Sequence, residues 1–226
     1  MTKQGKEYRL ELQKVIAGPV IDGVQEMTLV TDSGPIHCRF HPTKPCNQAI
    51  LWVGGAGGGL DGPAGGLYAR LAERMASKGI ASLRLDYRRP NQLLECTLDT
   101  LIGIAYLESV GCESIVLVGH SFGGAVVISA AVNSDSVVGV TALSSQTYGT
   151  NQVSEMGYRS LLLIHGGNDR VLPDICSREI YQRAGQPKKL IIYPGCGHGL
   201  DECREELDRD LSSWLGQVLL GESTQG

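Results

Sequence analysis

Residues 114–131 read Ser-Ile-Val-Leu-Val-Gly-His-Ser-Phe-Gly-Gly-Ala-Val-Val-Ile-Ser-Ala-Ala. Ser114–Val118 is a short apolar run of the kind a strand buried on both faces requires. Phe122–Asn133 is apolar at helical spacing. Between them Gly119-His120-Ser121-Phe122-Gly123 has the pattern Gly-x-Ser-x-Gly, where a strand turns sharply into a helix. Such a turn drives the serine into sparsely allowed backbone angles and lifts its hydroxyl above the sheet. The small residues at 119, 123 and 124 let the turn close, and the helix N-terminus favours negative charge beside Ser121. Without its flanks the same stretch reads as a Gly-rich turn with a helix-capping serine.

Similar units lie on both sides. Glu26–Thr31 and Pro35–Phe40 flank an Asp32-Ser33-Gly34 turn and read as a hairpin. Ala49–Val53, Ile80–Leu85, Val137–Leu143, Leu161–His165 and Lys189–Tyr193 are further apolar runs. Helical patterns cover Leu67–Lys78, Gln92–Val110, Asp174–Ala184 and Glu202–Val218. An antiparallel start followed by alternating strands and helices predicts an α/β fold. The sheet is expected to have eight strands, mostly parallel, with helices on both faces. Residues 7–22 are a candidate for an additional edge strand, and the chain is expected to form one domain over 1–226. No helix is expected between Leu143 and Leu161, where Ser144–Asn151 is polar and turn-like.

A serine hydroxyl needs a base to take its proton, and the base needs a partner to fix its tautomer. His198 lies in a glycine-rich turn after the last strand, and Asp169 in His165-Gly166-Gly167-Asn168-Asp169 after the strand before it. In a parallel sheet catalytic groups gather at the carboxyl ends of strands. Ser121, Asp169 and His198 follow such ends in the order Ser, Asp, His. Singly, Asp169 also reads as a solvated turn aspartate and His198 as a loop histidine. His165 and Asp86 are the next candidates for base and acid.

These motifs resemble those of the α/β-hydrolase superfamily over residues 26–220: Gly-His-Ser-Phe-Gly-Gly for the nucleophile, His-Gly-Gly-Asn-Asp for the acid, Gly-Cys-Gly-His-Gly for the histidine. Within it the chain is similar to small esterases without a cap domain and to the dienelactone-hydrolase-like group. Dienelactone hydrolases carry a cysteine nucleophile where this chain has Ser121, which departs from lactone chemistry. The resemblance implies a serine hydrolase, a carboxylesterase or thioesterase, acting through an acyl-enzyme on small or extended esters, thioesters or amides. No cofactor and no metal are implied.

Acyl transfer also needs donors for a developing oxyanion. The amide of Phe122 is one candidate. The Gly54–Gly59 loop after the third expected strand supplies the other, and alignment with the family's His-Gly places it at Ala56, flanked by Gly55 and Gly57 as substrate-side residues. The same loop contains Gly57-x-Gly59-x-x-Gly62, a dinucleotide-binding fingerprint, with Asp86 ending the next strand. A nucleotide-binding oxidoreductase is therefore a rival reading, though the connection from Val53 to the helix is long for it. A non-enzymatic binding protein on a hydrolase fold is another.

Too few residues separate Ser144 from Ser160 for a helical lid, so the site is expected to be open and to favour short acyl groups. Tyr148 is a candidate for its lining. Arg88, with Arg89, is a candidate clamp for a substrate carboxylate, set against a plain ion pair with Asp86. A net charge of -4 with dispersed Lys and Arg gives no footprint for nucleic acid or an anionic membrane. The polar N-terminus lacks an export signal, and no apolar run is long enough to span a bilayer. The seven cysteines are read as reduced thiols of a cytoplasmic protein, and Cys196, His198 and Cys203 as a poor match to a zinc set. The substrate is expected to be a small molecule, and the oligomeric state stays open.

Overall fold

The computed structural model describes residues 8–222. Nine strands form one sheet: β1 (Leu12–Ile21), β2 (Val24–Thr31), β3 (Gly34–His41), β4 (Gln48–Val53), β5 (Ala81–Asp86), β6 (Ser114–His120), β7 (Val137–Leu143), β8 (Ser160–Gly166) and β9 (Lys188–Tyr193). Their order is β1-β2-β3-β5-β4-β6-β7-β8-β9. Pairing is antiparallel from β1 to β5 and parallel from β5 through β4 to β9. The ninth strand is β1, in the stretch singled out as an additional edge. It escapes the apolar-run signal because nearly all of it is exposed.

Alternation decides the layers. In β4, Ala49, Leu51 and Val53 face one core while Ile50 and Trp52 face the other. On the first face lie α2 (Leu93–Ser109), α3 (Phe122–Ala131) and α4 (Ile175–Arg183). On the second lie α1 (Pro63–Ala76) and α5 (Arg204–Leu220). Helix α3 is apolar all round because every one of its residues is buried. Regular helix in α1 begins only at Leu67: Ala64, Gly65 and Gly66 have φ of 52°, 59° and 89°. Between β7 and β8 there is only a short 3-10 turn, Asn151–Glu155, and no cap domain. Among the described residues no helix is long and apolar enough to cross a membrane.

The cysteine expectation is corrected. Cys46 pairs with Cys112 and Cys196 with Cys203, while Cys38, Cys96 and Cys176 are free. Register accounts for the first pair. Gln48 sits opposite Ser114 in the β4–β6 ladder, so the residues two positions earlier in each strand's approach come together. That neighbourhood is invisible to sequence spacing, and the pairs remove the cysteine argument for a reducing compartment.

Candidate active site

Ser121 joins β6 to α3 with φ 57° and ψ -118°, a conformation rare for a residue with a side chain. Its amide donates to Leu143 O at 2.8 Å, which ties the turn to the end of β7. The turn closes because its glycines have no side chains. A Cβ at Gly119 would meet the carbonyl of Gly123, one at Gly123 the carbonyl of Gly54, and one at Gly124 the hydroxyl of Ser145.

Ser121 Oγ lies 3.0 Å from His198 Nε2. His198 Nδ1 lies 2.7 Å from Asp169 Oδ2. The Asp169 side chain is fully buried, and that of His198 is 21% exposed. Asp169 Oδ1 accepts the amides of Val171 and Leu172 at 2.8 and 2.9 Å. Burial pushes the carboxyl pKa up, but the bond from His198 and the amides of Leu172 and Val171 outweigh it, so the carboxyl is held below its ordinary range. An ionised Asp169 leaves His198 to donate through Nδ1 and to accept through Nε2.

His165, the reserve candidate for the base, makes no contact with Ser121. It is buried, with Nε2 2.8 Å from Leu172 O and 3.2 Å from Asp169 Oδ2, and Nδ1 2.7 Å from the Ser177 hydroxyl. It packs against Asp169 and braces the Leu172 turn that supplies one of its amides. Sequence reading missed that role, although its four-residue offset from Asp169 is visible in the sequence. His120 was likewise passed over: Nε2 lies 2.9 Å from His198 O.

Asp86, the reserve acid, serves the Gly-rich loop: it accepts the Gly59 amide at 2.7 Å. Gly58 N donates to Gly55 O at 3.0 Å, folding the loop into a tight turn. Gly55 lies beside Ser121, since a Cβ built on it would sit 3.6 Å from Ser121 Cβ. Ala56 and Gly57 are exposed at the turn. Among the described residues no hydrogen-bond acceptor engages the amides of Ala56 or Phe122. The Phe122 ring is buried edge-on to Tyr87. A cavity of about 290 Å³ lies between the Gly-rich loop, Pro63 and His120. Regular helix does not open at Gly62, and Asp86 is spent on Gly59, so the dinucleotide fingerprint lacks its structural context.

One expected substrate residue is engaged elsewhere. Arg88 is no clamp: its side chain is 3% exposed, and its guanidinium is bound to Asp99 and Glu95 and donates to Ser33 O. The β2–β3 turn and α2 cover it. Tyr148 stands on the loop after β7 with its side chain 77% exposed, and no described group holds its ring. Cys196 and Cys203 pair with each other, while His198 turns to Ser121 and Asp169.

The model of the phospholipase/carboxylesterase family matches residues 92–213, more than half of the chain. An uncharacterised protein of Escherichia coli K12, YfhR, is 26% identical, with 69% of this chain and 66% of the relative covered, so the chain spans just under two thirds of that relative's length. The dienelactone hydrolase of Anabaena variabilis has a similar structure, with TM-score 0.75, 16% identity, and 87% and 99% of the two chains covered. So does a putative alpha/beta hydrolase of unknown function from Agrobacterium tumefaciens, with TM-score 0.74, 19% identity, and 87% and 97% covered.

Proposed function

Because the chain belongs to the phospholipase/carboxylesterase family of α/β-hydrolases, we propose that it is a serine hydrolase in which Ser121 is the nucleophile, His198 the base and Asp169 the orienting acid. The observation that carries this reading is the continuous path from Ser121 Oγ to His198 Nε2 at 3.0 Å and from His198 Nδ1 to Asp169 Oδ2 at 2.7 Å. Neutral His198 takes the Ser121 proton on Nε2 as Oγ bonds to the carbonyl carbon of a small ester, thioester or amide. The carbonyl electron pair moves to oxygen, where the free amides of Phe122 and Ala56 stabilise it. His198 then protonates the leaving group as its bond to carbon breaks, and water repeats the sequence on the acyl-enzyme. The negative Asp169 stabilises the imidazolium formed in each half.

The reading takes residues 1–226 as one domain acting without a cofactor. Gly55 and Gly57 border the acyl site, and Tyr148 borders its mouth. A fluorophosphonate probe followed by peptide mapping tests it. Label confined to Ser121 and abolished by Ser121→Ala is expected. A folded protein that takes no label, or takes it on another serine, removes the mechanism.

A further inference from the structure

The mechanism gives His120 no proton to move, yet its half-buried ring packs against that of His198. Its centroid lies 4.9 Å from that of His198, with the planes at 49°. A carbonyl oxygen can only accept, so the 2.9 Å contact from Nε2 to His198 O puts the hydrogen on Nε2 and leaves Nδ1 bare. Burial pushes the pKa of His120 down to about 4, against the bond to the His198 carbonyl, so the ring stays neutral at ordinary pH. On its other side the ring faces the Gly-rich loop across the cavity they both line, close enough that a Cβ built on Gly55 would lie 3.7 Å from Nδ1. One side chain therefore stands between the loop carrying the base, to which it is bonded, and the Gly-rich loop beside the nucleophile.

The base sits in Pro194-Gly195-Cys196-Gly197-His198-Gly199, where three glycines leave the backbone free to rotate. Bonds must supply what the sequence does not. Asn168 N holds Cys196 O, and Ala64 N holds Gly199 O, each at 2.8 Å. Gly197 N donates to Glu202 Oε2 at 3.0 Å. The peptide carbonyl of His198 itself is held by His120. Rotation of that peptide swings the imidazole relative to Ser121 Oγ, and a displacement on the order of 1 Å costs roughly a hundredfold in rate.

We propose that His120 is the positioning residue of the base: its Nε2–H, bonded to the His198 carbonyl, fixes the imidazole at Ser121 and registers the base loop against the Gly-rich loop. The inference rests on the reading of Ser121, His198 and Asp169 given above. His120→Phe keeps the ring and removes the donor, whereas His120→Gln returns an N–H close to the place of Nε2. On a short chromogenic ester, His120→Phe is expected to lose roughly 10- to 100-fold in kcat at little cost in KM, and His120→Gln to recover most of it. The downfield proton resonance of His198 Nδ1–H bonded to Asp169 is expected to be lost in the Phe variant and kept in the Gln variant. That signal needs no turnover. It reports on His120 even if Ser121→Ala hydrolyses the ester like wild type, which is the result that removes the underlying reading. Wild-type kcat and an unchanged resonance in His120→Phe overturn the proposal, as does an equal loss in both variants. If a lowered Tm shows that the Phe variant has not folded, His120→Asn, whose shorter amide falls short of the carbonyl, takes its place against His120→Gln.

Discussion

His165 Nε2 lies 3.2 Å from Asp169 Oδ2, the same oxygen that accepts from His198 Nδ1 at 2.7 Å. His165 gives its Nε2–H to Leu172 O, so the carboxylate is held by three donors, His198 on Oδ2 and the two backbone amides on Oδ1. Asp169→Asn is therefore expected to keep the geometry, because the side-chain oxygen can still accept the Val171 and Leu172 amides, while the new NH2 forces His198 into the wrong tautomer. We expect kcat to fall by roughly 10²–10⁴-fold with Tm only a few degrees lower. Turnover near that of wild type would place the acid elsewhere.

The pH dependence of stability follows from the buried histidines. Burial, with Arg84 and Arg39 beside it, pushes His41 from its ordinary value of 6.5 down to about 4. The unfolded chain takes up that proton near 6.5 and the folded chain only near 4. The contribution is complete above 6.5 and is lost as the pH falls through this window, roughly 3 kcal/mol. His120 acts in the same direction. Tm should decline between pH 6.5 and 4 and decline less steeply in His41→Leu; parallel curves would clear His41.

Substrate size should follow the open approach to Ser121. The connection from β7 to β8 holds only the Asn151–Glu155 turn, and Tyr148 beside it is exposed, so nothing here encloses a long chain. In a series of p-nitrophenyl esters, kcat/KM is expected to be highest for acetyl and butyryl and to decline towards palmitoyl. A palmitoyl optimum would require a cover supplied by something other than this loop.

Replacing Arg88 should act on stability and leave charge selectivity alone. Arg88→Ala strands Asp99, which is fully buried, without its cation. About 3–5 kcal/mol of stability should be lost, read from urea unfolding, and pairing Arg88→Met with Asp99→Leu should return part of it. KM for anionic and neutral esters should move together. A selective rise for anionic esters would restore the clamp.

The fold was legible wherever a strand is buried on both faces, since β4 to β8 announce themselves as apolar runs. Strand β1 is faint because pairing, without burial, holds it. Ser121, Asp169 and His198 could be picked out because each follows a strand whose carboxyl end the parallel topology brings to one edge. Arg88 was misread for the same reason: the end of β5 promises exposure, but the antiparallel hairpin and α2 close over it, and that packing is not written in local sequence. Cys46 and Cys112 were missed because strand order, with β4 beside β6, is what joins them.

The positive φ of Ser121, which the turn enforces, has counterparts in Ser144 at 45°, next to Leu143 whose carbonyl binds the Ser121 amide, and Leu200 at 58°, two residues after His198. The Ser144 hydroxyl is also buried without a partner. Glycine at Ser144 relieves backbone strain on the order of 1 kcal/mol or more, whereas at Leu200, a fully buried core side chain, the packing lost exceeds the strain relieved. Selection for heat resistance alone should therefore enrich Ser144→Gly, and a library sorted on melting temperature would drift towards sturdier proteins with a slackened turn at Ser121. Thermal selection on this scaffold needs a simultaneous demand for turnover, or the gains will be drawn from the residues that frame Ser121.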